Sequence, residues 1–124
     1  MIRLQKLPYD ITVCKTASMA DIDLSAGFFF IGRTDEEISL VCRTEDVPIT
    51  VTVRDDGWRG FRIVGMLDFS LVGILAQISG ILAEEGISIF AVSTFNTDYV
   101  LVKQEKFAQA LEVLEAAGYE IKEF

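Results

Sequence analysis

Short apolar runs separated by polar turns dominate the first half of the chain, and two stretches of helical period join them in the second half. DITVCKT (10–16) reads as a strand, and FFIGRTDEEISLV (29–41) as two apolar strands joined by a polar turn. GFRIVGML (60–67) is again strand-like. In LVGILAQISGILAEEG, Leu71, Ile74, Leu75, Ile78, Ile81 and Leu82 recur at helical spacing, with Ser70 as an expected N-cap and Gly86 as a C′ glycine. FAVSTFNTDYVLV (90–102) repeats the strand–turn–strand pattern. EKFAQALEVLEAAG places Phe107, Leu111 and Leu114 on one helical face and stops at Gly118, and YEIKEF closes as a short alternating strand.

The two hairpin segments align without a gap. Phe29 falls on Phe90, Ile31 on Val92, Ile38 on Tyr99, Leu40 on Leu101 and Val41 on Val102, an offset of 61 residues. Such self-similarity marks a duplicated unit. RDDGW (54–58), with its charges and glycine, reads as the loop between the copies. The expected division is 1–56 and 57–124. The second copy has the order strand, helix, strand, strand, helix, strand. Right-handed crossovers fold that order into an antiparallel four-stranded sheet with both helices on one face, the ferredoxin-like arrangement. The first copy lacks a convincing helix between TVCKT and FFFIGRT, and PITVTV (48–53) reads as a strand, so this half is expected to be reduced and mostly β. The fold class is therefore α+β, with two ferredoxin-like units.

Composition narrows the chemistry. Nineteen acids face eleven scattered bases, for a net charge of −8, so nucleic acid is not an expected partner. The absence of histidine removes Ser-His-Asp and Cys-His triads and the usual zinc sites. Cys14 and Cys42 lie in apolar runs without CxxC spacing and read as buried, reduced core thiols. The acids Asp35, Glu36 and Glu37 read as a solvated turn, with Glu37 aligned on Asp98, and Trp58 as a packing residue. No cofactor and no metal is expected. MIRLQKLPYD has no apolar core of a leader, and FSLVGILAQISGILA is broken by Gln77 and Ser79, so neither export nor membrane insertion is expected, and the reading is cytoplasmic.

Two segments carry candidate chemistry. DFSLVG (68–73) ends a strand and opens a helix. Free N–H groups there suit a carboxylate, and Gly73 admits a ligand closely. An ordinary capped helix also explains it, with Asp68 and Ser70 meeting the donors themselves. STFNTD (93–98) is good turn chemistry. The turn accounts for Asn96 and Thr97, and less well for Ser93, Thr94 and the exposed aromatic Phe95. A helix end facing hydroxyls and an aspartate suits an α-amino acid, with its ammonium on Asp98, Asp68 or strand carbonyls.

G-x-LDFS-x-x-GILA and GISIFA-x-ST-x-x-TDYVLV together resemble an ACT domain, a regulatory module of amino-acid metabolism, and FFFIGRTDEEISLVCRTEDVP resembles a reduced N-terminal ACT repeat. The resemblance covers nearly the whole chain and is to the ACT region of aspartate kinase and to the CASTOR-type amino-acid sensors. It implies a non-catalytic, amino-acid-binding regulatory protein. It also implies a ligand at an ACT–ACT interface between one wall of Asp68, Phe69, Ser70, Gly73 and Ile74 and another of Phe90, Ala91, Ser93, Thr94, Phe95 and Asp98. The sensors carry four such units, so two units here imply a homodimer. With no other domain attached, the signal would pass to a separate protein partner. Two competing readings stand beside this one: a protein-interaction module with a vestigial pocket, and a small enzyme with Asp98 or Asp68 as general base.

Overall fold

The computed structural model describes residues 2–64 and 73–124. Asp68, Phe69, Ser70 and Leu71 lie outside the described residues, and with them most of one expected ligand wall. The chain forms two compact units. One comprises Met1–Pro8 with Arg59–Phe124, and the other Tyr9–Trp58. The boundary near residue 56 read from RDDGW therefore falls inside a strand, β5 (Val53–Ile63), and residues 1–8 belong with the C-terminal unit.

In the Tyr9–Trp58 unit the strands are β2 (Ile11–Lys15), β3 (Phe29–Arg33), β4 (Ile38–Arg43) and the first part of β5, in the order β3–β4–β2–β5. All three pairings are antiparallel. Single 3-10 turns, Met19–Asp21 and Thr44–Asp46, stand where the C-terminal unit has helices. The strand expected at PITVTV starts only at its last residue, Val53, and continues through the charged residues. Gly57, at φ 83°, explains this. Ile11 pairs with Trp58 and Val13 with Asp55, so three steps on β5 oppose two on β2. The glycine supplies a β-bulge rather than a loop. The charges beside it are satisfied locally. The Thr12 hydroxyl donates to Asp56 Oδ1 at 2.6 Å, and Arg54 Nη2 donates to the same oxygen at 2.8 Å. Cys14, Ile22, Leu40 and Cys42 form the core, with Phe29 and Ile31 packed on it.

The other unit contains β1 (Arg3–Lys6), the end of β5, α1 (Ile74–Glu84), β6 (Phe90–Ser93), β7 (Asp98–Lys103), α2 (Gln104–Ala116) and β8 (Glu120–Lys122). Its strand order is β6–β7–β5–β1–β8. The sequence led to an antiparallel sheet of four strands, whereas this unit has five, β5 and β8 being separated by another strand. That strand is β1, antiparallel to β5 and parallel to β8. RLQK earns that place by alternation: Leu4 is fully buried in the helix-side core and Gln5 stands opposite Arg62.

Both helices cover one face of this sheet. Leu4, Phe61, Ile63, Val100 and Val102 from the strands meet Ile78, Leu82, Phe107, Ala110 and Leu114 from the helices. Gly86 and Gly118, at φ 71° and 106°, end the helices in Schellman geometry, with Ile87 N donating to Leu82 O and Tyr119 N to Leu114 O. The start of α1 differs from the expected Ser70 cap. The helix begins at Ile74, after Gly73 in the left-handed conformation.

The two hairpins match in strand register at an offset of 60 residues rather than 61. Strand β4 begins at Ile38 and β7 at Asp98, with the same burial pattern along both. Arg33 pairs with Ile38 as Ser93 pairs with Asp98. Glu37 thus corresponds to Thr97 and not to Asp98. Phe28, Phe29 and Phe30 are chemically interchangeable in an alignment, and a one-residue slip exchanges the two faces of every strand.

On β5, a Cβ added at Gly60 meets Leu101 Cδ2 at 2.5 Å and the Val100 carbonyl at 2.9 Å. Gly60→Ala is expected to destabilise the protein by about 1–3 kcal/mol through overpacking, read as a lower urea midpoint with an unchanged m-value.

Candidate functional site

The β6–β7 hairpin organises the candidate site. Its turn is built by Thr94 and Thr97. Thr94 N and its hydroxyl both donate to the Thr97 carbonyl, at 2.8 and 2.9 Å, and Thr97 N donates to Thr94 Oγ1 at 3.3 Å. Thr34 performs a similar task in the other unit, where its amide donates to the Glu37 carbonyl and its hydroxyl accepts from Glu36 N and Glu37 N. Thr94 is therefore a turn former, and its hydroxyl is largely spent. Thr97 is buried, and its hydroxyl donates to the Ile63 carbonyl at 2.8 Å. This bond ties the turn to the end of β5.

Strand register divides the expected second wall between two faces. Ala91 pairs with Val100, which lies in the helix-side core, so Ala91, Ser93 and Asp98 share the helix face. Phe90 pairs with Leu101 and Val92 with Tyr99, and these face the other way. Phe95 sits at the turn, 83% exposed. From the first wall, Ile74 packs on the helix-side core, while Gly73 is required by its φ of 83°. Ser93 and Asp98 therefore lie on the face that carries α1, and Phe90 does not. Among the described residues neither the Ser93 hydroxyl nor the half-buried Asp98 carboxylate takes part in a hydrogen bond or ion pair.

A cavity of about 310 Å³ opens at the end of β5, lined by Gln5 of β1, Arg62 and Ile63 of β5, and Asn96, Thr97 and Tyr99 of the hairpin. Arg62 and Tyr99 were not anticipated as site residues. The signal was in GFRIVGML: between buried Phe61 and Ile63, period-two alternation turns Arg62 to the face away from the helices.

Nucleophilic chemistry finds little support in the thiols. Cys14 and Cys42 are both buried. Burial, followed by the neighbouring Cys14, pushes the Cys42 thiol up to about 12, and burial also raises Cys14. Among the described residues no group of three His, Cys, Asp or Glu side chains gathers to hold a metal, and no helix is long and apolar enough to cross a membrane.

The raised Cys42 pKa has a sign. An unfolded thiol ionises near 9.0, so the contribution is fully present below that pH and is lost as pH rises towards about 12. Urea midpoints on either side of this window should therefore fall further in the wild type than in Cys42→Ala, and alkylation of the native protein near neutral pH should wait on unfolding.

Comparison with known proteins places these features in context. A model of the ACT domain matches residues 53–116. The Homo sapiens cytosolic arginine sensor for mTORC1 subunit 1 is 46% identical over 109 residues, which are 82% of this chain and 33% of that protein. The chain spans about a third of the length of the curated relatives it matches. A solved protein structure from Agrobacterium tumefaciens aligns with a TM-score of 0.87 at 32% identity, covering 99% of this chain and 93% of that one. The aspartokinase alpha and beta subunits align at a TM-score of 0.64 and 18% identity, covering 93% of this chain and 96% of that one, a likeness of fold alone. The eight strands and two helices among the described residues make an ACT-like mixed fold.

Proposed function

Because the chain belongs to the ACT-domain family, we propose that it is a non-catalytic regulatory protein that binds a free amino acid. One observation carries this reading: on the helix face, Ser93 and the half-buried Asp98 stand side by side with no partner among the described residues. A carboxylate with no cation beside it suits an α-ammonium group, which adds charge-assisted hydrogen bonds. The helix-start segment, with Asp68, Phe69, Ser70, Gly73 and Ile74, supplies the facing wall and takes the ligand carboxylate. Ala91, Thr94 and Phe95 complete the hairpin side, with Thr94 acting through the turn, while Phe90, on the opposite strand face, stands outside this pocket.

The same proposal reads the chain as two ACT units, the first reduced, with the ligand at an ACT–ACT interface in a cytoplasmic homodimer that signals to a separate protein. The internal repeat at 60 residues supports the tandem reading. The 46% identity to a protein named as a cytosolic arginine sensor supports an amino acid as ligand, arginine among the candidates. A second reading stands beside this one, a protein-docking module with a vestigial pocket.

A thermal-shift scan against the twenty amino acids separates the two. Ligand at about 100 times its dissociation constant adds roughly 2.7 kcal/mol, a rise of several degrees. The expected result is a shift from one or two amino acids that is lost in Ser93→Ala and Asp98→Ala. No shift from any amino acid, with a stable copurifying protein instead, moves the assignment to the docking module.

A further inference from the structure

The cavity at the end of β5 presents the chemistry opposite to that of the Asp98 face. Among the described residues its only charged lining group is the Arg62 guanidinium, in a chain where acids outnumber bases nineteen to eleven. Among the described residues Arg62 has no acidic partner. It is held instead by neutral groups. Nε donates to Gln5 Oε1 at 3.0 Å, Nη1 lies 3.5 Å from the Tyr99 hydroxyl, and the guanidinium sits 5.5 Å from the Phe124 ring centroid. Those contacts fix the plane of the fork and leave the Nη2 donors without an acceptor among the described residues. Tyr99 and Asn96 line the same cavity with uncharged polar side chains.

We infer that Arg62, Tyr99 and Asn96 form a binding site for the carboxylate of a small organic acid, on the sheet face away from the helices. A single guanidinium among uncharged polar neighbours matches a monoanionic carboxylate, whereas a phosphate dianion calls for more positive charge. The cavity, at about 310 Å³, is at the small end of ligand pockets. Its floor is built from residues committed elsewhere: Ile63 packs in the helix-side core and the Thr97 hydroxyl is given to the Ile63 carbonyl. The site is independent of the amino-acid reading, because Asp98 points to the other face.

Titration of the whole chain with sodium acetate at constant ionic strength, followed by NMR of the Tyr99 ring and the Arg62 Nε–H, tests this. The expected result is a saturable shift of both signals, weakened about tenfold or more in Arg62→Gln and partly retained in Arg62→Lys. The shift should persist in Asp98→Ala, so failure here and failure of the amino-acid site give different patterns. Well-dispersed spectra of each variant confirm folding. An absent shift in the wild type, an undiminished shift in folded Arg62→Gln, or saturation by inorganic phosphate with acetate silent would each overturn the assignment.

Discussion

One buried hydrogen bond holds the two candidate faces in their places. The Thr97 hydroxyl reaches from the β6–β7 turn to the carbonyl of Ile63, near the end of β5. A buried carbonyl left unsatisfied costs about 1–3 kcal/mol, so the turn is drawn to the strand end rather than left in solvent. The consequence is positional. On the helix side the turn presents Ser93 and Asp98, and on the other side its Asn96, Thr97 and Tyr99 close a cavity with Gln5 and Arg62. The bond itself takes no ligand.

From that constraint follows a division of charge. Period-two alternation sends Asp98 to one face and Tyr99 to the other, while β5 sends Ile63 to the helices and Arg62 away from them. A carboxylate and a guanidinium, neither with an oppositely charged partner among the described residues, thus lie on opposite sides of one sheet. Each suits a ligand of opposite charge. The chemistry belongs to strand ends and a turn carried on a rigid frame, the usual division of labour between scaffold and site.

Much of the fold was legible in the chain itself. The helical spacing of Ile74, Ile78 and Leu82 and the glycines 86 and 118 gave the helices and their ends, because side-chain period and φ > 0 are local properties. The misses came from pairing, which is not local. RDDGW looked like a loop because charge and glycine usually mark one, yet Thr12 and Arg54 satisfy Asp56 and Gly57 supplies a bulge. The place of β1 between β5 and β8 needs contacts across the whole chain length. Three consecutive phenylalanines hid the hairpin register, and with it the fact that Phe90 and Asp98 face opposite ways. The expectation for Ser93 and Asp98 came from residue chemistry and family resemblance. Arg62 was missed because an isolated arginine in an apolar run carries no motif.

The central claim is that the Thr97–Ile63 bond sets the turn, and it is tested most directly by the unfolding free energies of Thr97→Val and Thr97→Ser beside the wild type. Valine keeps the shape and removes the donor, whereas serine keeps the donor and loses a methyl group. The account predicts a loss of about 1–3 kcal/mol for valine, with serine retaining the hydrogen bond and losing less. A valine variant as stable as the wild type, or a serine variant less stable than valine, would contradict it.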